Sequence, residues 1–359
     1  MPEPLKNSYN RFYIERLADA IKASWTPFDK PLFVAKVFDD QWEGKELKAR
    51  MKHITVMMHE CLPLPFEKVV EILLSAGQEF GGFEGMFFPD YVEQFGVNDW
   101  ELSVTALEAL TQYSSSEFAV RPMIIRDPLR MMAVMMRWAS HQNYHVRRLA
   151  TEGCRPRLPW AMALPAFKKD PQLILPILDQ LKQDESLYVR RSVANNLNDI
   201  AKDNPKVVLS WCKQNIGRHP DTDWVIKHGC RTLLKQANVE AMALFGYADS
   251  SQVLVENLFI KNNALAIGDN LLFSFNVATS EKKLSKLRVE YIINYVKANG
   301  RLAPKVFKSS ESDYTQREIS FERTHSFRQM STRKHYPGEH KLSIRVNGDI
   351  KASTFFWLH

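Results

Sequence analysis

The stretch from residue 145 to residue 161 reads HVRRLATEGCRPRLPWA, and its Val-Arg-Arg triplet at Val146 recurs 43 residues later at Val189. Each triplet opens a segment whose apolar residues are spaced three and four apart, the period of an amphipathic helix. Residues 223–228, DWVIKH, look like a third copy about 36 residues further on. Helix pairs that repeat every 36 to 43 residues are typical of HEAT-type repeats, so we predict a curved all-α solenoid.

The helical period extends through most of the first 250 residues. Proline and glycine separate the periodic segments, and several prolines stand where first-turn prolines open a helix. The predicted helices cover residues 11–25, 45–61, 66–80, 100–113, 116–137, 143–154, 171–182, 187–202, 205–215 and 223–237. We therefore predict that residues 1–250 form an all-α domain of HEAT-like repeats.

From about residue 252 the pattern changes to alternating apolar and polar residues, which indicates β-strands. The alternating segments are residues 253–255, 271–277, 287–293, 319–322 and 340–346. Turn signals at residues 268–270, 337–339 and 347–349 separate them, and Asn347-Gly348 is a strong hairpin signal. Some seven short strands in about 108 residues predict an all-β immunoglobulin-like sandwich over residues 251–359, which makes the chain multidomain.

The composition excludes several classes of protein. The chain has 359 residues, 45% of them hydrophobic and 25% charged, the profile of a folded globular protein. It contains no apolar run of about 18 residues and no hydrophobic signal core, so we expect a cytoplasmic protein without a membrane span. The four cysteines include no CxxC pair, so we expect reduced core thiols rather than zinc ligands or disulfides.

The formal net charge of +7 is concentrated in the last third of the chain. From residue 251 onward there are 17 Lys and Arg against 10 Asp and Glu, whereas residues 1–250 balance 31 against 31. The surplus predicts that the C-terminal domain attracts an anionic partner. Two basic segments, residues 281–286 and 328–337, are candidate loops for that contact, and each could equally be a solvated turn.

A shift by 43 residues superposes Arg148 on Arg191 and Glu152 on Asn195, with each pair on one face of its own helix. One interpretation is a structural ladder, in which each arginine bonds acidic groups of neighbouring turns. The other is a basic track for phosphates, because the guanidinium fork matches phosphate oxygens. The sequence leaves both interpretations open.

Residues 147–161, RRLATEGCRPRLPWA, are the most specific segment, because they gather several arginines around one carboxylate and one indole. With residues 188–205, YVRRSVANNLNDIAKDNP, and residues 223–235, DWVIKHGCRTLLK, this segment resembles the AlkC branch of the HEAT-like-repeat alkylpurine DNA glycosylases. The resemblance covers nearly the whole chain. It implies a monofunctional glycosylase of base excision repair that removes 3-methyladenine and 3-methylcytosine from double-stranded DNA without flipping the base, leaving an abasic site.

The resemblance also suggests roles for individual residues. Glu152 is the candidate that stabilises the developing sugar cation and orients or deprotonates water. Trp160 and Trp224 are the candidates to lie against the cationic base or the sugar. The candidate DNA-binding residues are Arg147, Arg148, Arg155, Arg157, Arg190, Arg191, Asn195, Lys227 and Arg231. We expect a monomer without a nucleotide cofactor, because a self-contained solenoid with a wrapping module needs no symmetry mate. We expect no metal, since His141 and His145 lack a third ligand at a recognisable spacing.

The alternative is a non-catalytic HEAT-repeat scaffold that binds DNA or a protein, because solenoids are more often adaptors than enzymes. The carboxylate of Glu152 among cations favours the enzyme. A pure phosphate binder should avoid a negative charge there, since it repels the DNA backbone.

Overall fold

The computed structural model describes residues 3–247, 249–329 and 334–359. Within these ranges all helices precede all strands, which confirms an all-α region followed by an all-β domain. The α-helices are α1 (Arg11–Ser24), α2 (Lys30–Val37), α3 (Leu47–Cys61), α4 (Phe66–Gly77), α5 (Phe87–Phe95), α6 (Trp100–Leu110), α7 (Val120–Arg126), α8 (Pro128–Trp138), α9 (Tyr144–Glu152), α10 (Pro165–Lys169), α11 (Leu175–Leu181), α12 (Leu187–Asp203), α13 (Pro205–Asn215), α14 (Pro220–Gly229), α15 (Arg231–Lys235) and α16 (Val239–Leu244). Short 3-10 helices occupy Leu5–Ser8, Trp42–Gly44 and Glu84–Met86. No helix of the described ranges combines the length and apolarity needed to cross a lipid bilayer.

The repeated segments form α9, α12 and α14, and α12 packs against both of the others. The aligned valines Val146, Val189 and Val225 are fully buried. Where α12 meets α14, a Cβ atom on Gly229 would lie 3.0 Å from the Cβ of Leu197, so glycine allows this close approach. The predicted repeats are therefore neighbouring helices.

Helix boundaries differ from the prediction where a capping residue starts a new helix within a segment of continuous apolar period. The single helix predicted over residues 116–137 is wrong, because α7 ends at Arg126 and α8 begins at Pro128. Asp127 caps α8 by accepting a hydrogen bond from the backbone N–H of Arg130, and Pro128 occupies the first turn. The helix predicted over 223–237 is likewise divided into α14 and α15.

The C-terminal strands form two sheets. The strands are β1 (Val253–Ile260), β2 (Ala264–Leu265), β3 (Asn270–Thr279), β4 (Ser285–Val296), β5 (Leu302–Tyr314), β6 (Glu318–Ser326), β7 (Gly338–Val346) and β8 (Asp349–Leu358). One sheet has the order β1-β3-β6 and the other the order β2-β8-β7-β4-β5. Alternate side chains of both sheets, including Phe275 and Ile293, share one apolar core. Asn347 and Gly348 have φ values of 44° and 99° between β7 and β8, which confirms the predicted hairpin.

Contacts divide the chain into two compact units, Met1–Gly229 and Cys230–His359. The second unit holds α15 and α16 as well as the sheets. Arg345 of β7 donates a hydrogen bond of 2.8 Å to the carbonyl of Lys235, and Tyr247 donates one to Glu311 of β5. The domain boundary between residues 250 and 251 stays a prediction.

These bonds predict that residues 230–250 stabilise the β-domain. A fragment of residues 230–359 should have a higher free energy of unfolding than a fragment of residues 251–359, by about 2 kcal/mol or more. The shorter fragment loses these two hydrogen bonds and also three that join Ser250 to residues of β7 and β8. Circular dichroism during urea titration measures the difference. Equal midpoints and slopes would show that the helices add nothing to the stability of the sheets.

Candidate active site

Glu152 is the last residue of α9, and the chain turns away from the helix immediately after it. Gly153 follows with an ordinary helical φ, so its backbone is not strained. A Cβ atom on Gly153 would lie 2.6 Å from Val120 and 3.0 Å from Met135. Close packing against α7 and α8 therefore requires glycine here.

The carboxylate of Glu152 is buried and fully engaged. Its Oε1 atom accepts a 2.6 Å hydrogen bond from Nη1 of Arg155 and lies 3.4 Å from Nη2 of Arg148. Its Oε2 atom accepts a 2.6 Å hydrogen bond from the hydroxyl of Ser192 on α12. The structure therefore places Glu152 between two guanidinium groups and fixes its orientation.

The two arginines extend this arrangement to two further carboxylates that the sequence did not reveal. Arg148 donates 2.7 Å to Glu117, which precedes α7, and Arg155 donates 2.8 Å to Asp199 of α12. The resulting alternation of Glu117, Arg148, Glu152, Arg155 and Asp199 is called here the carboxylate network. Burial lowers the pKa of both arginines, but Glu152 and then the outer carboxylates more than offset it, so both pKa values are raised.

Exposed aromatic rings lie beside the network. The guanidinium of Arg148 stands 4.7 Å from the ring centroid of Tyr188, and the rings of Tyr144 and His145 lie 4.2 Å apart at a tilt of 31°. Tyr144 and Tyr188 are 44% and 41% exposed. The 43-residue shift superposes His145 on Tyr188. The repeat in the sequence therefore indicated an aromatic ring at this position of both helices. Carboxylates bordered by open aromatic faces suit a cationic ligand.

Several predicted DNA-binding arginines are held by acidic side chains. Arg147 makes hydrogen bonds of 2.6 and 3.1 Å to the carboxylate of Asp184, and Arg157 makes bonds of 2.7 and 2.6 Å to Asp203. Arg190 lies 3.1 Å from Asp221. These pairs have the geometry that the ladder interpretation describes, and the DNA-binding role of these residues stays a prediction.

The other predicted residues lie in varied surroundings. Arg191 and Lys227 are exposed on α12 and α14, whereas Asn195 is half-buried on α12. Arg231 belongs to α15 of the second unit. Trp224 stacks on His228 at 5.1 Å.

Trp160 lies in the loop after α9 and is 63% exposed. Residues 153–162 are called here the Trp160 loop. The fully buried Arg121 of α7 holds both ends, donating 2.8 Å to the carbonyl of Gly153 and 2.7 Å to that of Met162. Burial lowers the pKa of Arg121 to about 10, so the side chain stays charged at neutral pH. The loop is thereby anchored next to Glu152.

The second unit contains a basic cleft of about 850 Å³ at the β4–β5 turn. Its cations are Lys297, Arg301, Lys305 and Lys334, and none of its described lining residues is acidic. Lys334 and Tyr336 come from the predicted loop 328–337, of which residues 330–333 lie outside the described residues. The other predicted loop, 281–286, exposes Lys282 and Lys283. Within the described part of the chain, no group of three His, Cys, Asp or Glu side chains is placed to hold a metal ion.

Two family models match this chain. The model described as "DNA alkylation repair enzyme" matches residues 110–233, which include the carboxylate network. The model described as the C-terminal Ig-like domain of the uncharacterised protein YhaZ matches residues 254–359. The β-domain is therefore immunoglobulin-like, as the strand pattern predicted.

Two proteins are similar over the full length. The uncharacterised protein YhaZ of Bacillus subtilis strain 168 is 45% identical over 353 residues, 98% of each chain. The structure of Pseudomonas fluorescens alkylpurine DNA glycosylase AlkC, bound to DNA containing an abasic site analog, has a TM-score of 0.96 and 36% identity. That match covers 99% of this chain and 100% of the other.

Proposed function

This chain belongs to the AlkC family of DNA alkylation repair proteins, and from that premise we propose that it is a DNA glycosylase for cationic N-alkylated bases. The substrates are 3-methyladenine and 3-methylcytosine in double-stranded DNA. The observation that carries the proposal is the placement of Glu152, a buried carboxylate oriented by Arg148, Arg155 and Ser192.

The chemistry requires little from the protein beyond a positioned negative charge. A base alkylated at N3 is already cationic, so the glycosidic electron pair leaves with it and the base departs neutral. The sugar then carries the positive charge, which a fixed carboxylate stabilises. Water adds to C1′ and loses a proton, which leaves an abasic site and the free base.

The carboxylate network supports this assignment of Glu152. Both carboxylate oxygens of Glu152 already accept hydrogen bonds, which hold the carboxylate in place. Its main roles are therefore to stabilise the sugar cation and to orient water. Glu117 shares Arg148 with Glu152, and its side chain is 15% exposed. Glu117 is therefore the second carboxylate able to face the substrate.

The remaining parts of the proposal concern how DNA is held. A cationic base leaves without protonation, so the reaction needs no pocket that flips the base out of the helix. Trp160 is exposed enough to contact the sugar or the alkylated base from the duplex surface. The protein acts as a monomer without a cofactor, and the basic cleft of the C-terminal domain binds the phosphate backbone.

The deciding experiment incubates the full chain with methylated duplex DNA and measures free methylated base by chromatography. We expect release of 3-methyladenine and 3-methylcytosine, with abasic strands left uncleaved. Strand cleavage at the abasic site would contradict the monofunctional assignment. DNA binding without release of base would favour the scaffold alternative.

Two arginines that superpose in the repeat should behave differently. Arg191→Ala should weaken binding to damaged and undamaged DNA alike and lower the salt slope by about 0.9, since its side chain is exposed. Arg148→Ala should instead lower the melting temperature, because Glu117 and Glu152 lose their shared cation. Salt titration of binding and thermal unfolding measure the two effects. An unchanged slope for Arg191→Ala would remove that residue from the DNA interface.

A further inference from the structure

We propose that Lys48 of α3 is a positioning residue for base excision, because it holds the backbone of Trp160 in the conformation that presents the indole. The Nζ atom of Lys48 donates a 2.6 Å hydrogen bond to the carbonyl oxygen of Trp160. The two residues are 112 positions apart in the sequence. This inference rests on the proposed function, in which Trp160 contacts the alkylated nucleotide.

The backbone of Trp160 needs such support. Its φ of 64° lies in the left-handed region, which residues other than glycine rarely adopt. A bulky residue stays there only where its surroundings hold it. The preceding residue is Pro159, whose ring further restricts the chain. The indole is nevertheless 63% exposed, so packing of its ring does not fix the conformation.

Two cations divide the task of holding the Trp160 loop. Arg121 anchors its two ends, at Gly153 and Met162, while Lys48 reaches the carbonyl at Trp160 itself. The ammonium of Lys48 also stands 5.1 Å from the ring centroid of Phe118, which limits where the side chain can go. Removal of Lys48 would therefore free the segment around Trp160, while Arg121 keeps the ends of the loop and Asp203 keeps Arg157 in place.

The surroundings of Lys48 provide a matched control. A cavity of about 330 Å³ is lined by Lys48, Lys52, Asp90, Glu93 and Phe118, together with two residues of the Trp160 loop. Lys52 stands one helical turn after Lys48 on α3 and is also exposed to solvent. Burial, and then Asp90, raise the pKa of Glu93 to about 7, so Glu93 is only partly ionised near neutral pH and competes weakly for the ammonium.

The first experiment measures single-turnover excision at saturating protein. Lys48→Met keeps the aliphatic stem but removes the ammonium, and we expect the rate to fall about tenfold or more because the indole loses its position. The dissociation constant for undamaged DNA should change less than about twofold, and Lys48→Arg should restore most of the rate. Lys52→Met should match the unsubstituted protein. Equal weakening of DNA binding by Lys48→Met and Lys52→Met would overturn the proposal and make both lysines phosphate contacts.

A chain that carries Trp160→Ala distinguishes a positioning role of Lys48 from a direct role on DNA. If Lys48 acts through Trp160, the substitution Lys48→Met should cost no further rate in a chain that already carries Trp160→Ala. A full additional loss in that background would overturn the proposal, since Lys48 would then act on DNA without Trp160.

A third measurement does not depend on activity. Trypsin cleaves after Arg157, whereas the bond after Arg155 is blocked by Pro156, so cleavage within the loop reports its opening. In the absence of DNA, Lys48→Met should speed cleavage between Arg157 and Leu158 severalfold, as mass spectrometry of the fragments would show. An unchanged cleavage rate would overturn the proposal that Lys48 holds the Trp160 loop. A protein that releases no base but shows the faster cleavage would refute the proposed function while leaving the tether in place.

Discussion

Glu152→Gln is expected to lower single-turnover release of methylated base by about 10²- to 10³-fold while DNA binding stays within a few-fold of the unsubstituted protein. The substitution keeps the volume of the side chain but removes the charge that would face the sugar cation. Arg148 keeps Glu117 and Arg155 keeps Asp199, so neither guanidinium loses all of its acidic partners. Loss of activity should therefore occur in a folded protein.

Asp203→Asn is the matched control for this experiment. Asp203 pairs with Arg157 of the same loop, but it stands outside the carboxylate network. Its substitution keeps an amide oxygen that accepts a hydrogen bond from Arg157, and the loop keeps its contacts with Arg121 and Lys48, so the excision rate should stay within about threefold. Thermal unfolding and binding to undamaged duplex verify that both variants are comparable. An excision rate for Glu152→Gln close to that of Asp203→Asn would exclude Glu152 as the catalytic carboxylate.

The second large effect is expected at the basic cleft of the C-terminal domain. The variant replaces four cations with Met, namely Lys297, Arg301, Lys305 and Lys334. Each phosphate contact contributes about 0.9 to the slope of log affinity against log salt, so four contacts should lower the slope by about 3 to 4. Affinity at low salt should fall by about 10²-fold or more, and the loss should shrink as salt rises.

The control removes the same charge from the same domain at positions outside the cleft and outside both candidate loops. The control residues are Lys261, Lys308, Arg317 and Lys341. If the cleft binds the backbone, the control should retain most of the slope. Equal losses in the two variants would mean that the surplus charge acts only by long-range steering. The excision rate of the cleft variant at saturating protein then shows whether the cleft contributes only to affinity or also to the rate of excision.

Several elements were predictable because their own residues specify them. The Val-Arg-Arg segments at Val146 and Val189 have helical period and form α9 and α12. Strand β5 was missed because it is the edge strand of its sheet and only its last residue, Tyr314, is buried, so no apolar alternation marks it. Pro304 lies in this strand, which an edge position tolerates and a central position does not.

The candidate site was predictable only in its local part. Arg148 and Glu152 share a face of α9, so their spacing of four residues predicts their contact. Glu117 and Asp199 reach the same arginines from other elements, 31 and 44 residues away. The packing of helices determines those contacts, and no spacing along one helix reveals them. For the same reason the sequence did not indicate that Lys48 meets Trp160.

The burial of the cysteines affects how readily their thiols react with methylating agents. All four cysteines are buried, and burial raises the pKa of Cys154 to about 12. The thiolate is the form of cysteine that reacts with electrophiles, so Cys154, two residues from Glu152, is a poor target for methylating agents. Burial likewise raises the pKa of Cys61. The reagents that would create this protein's proposed substrates therefore meet Cys61 and Cys154 as buried thiols whose pKa values disfavour the reactive thiolate.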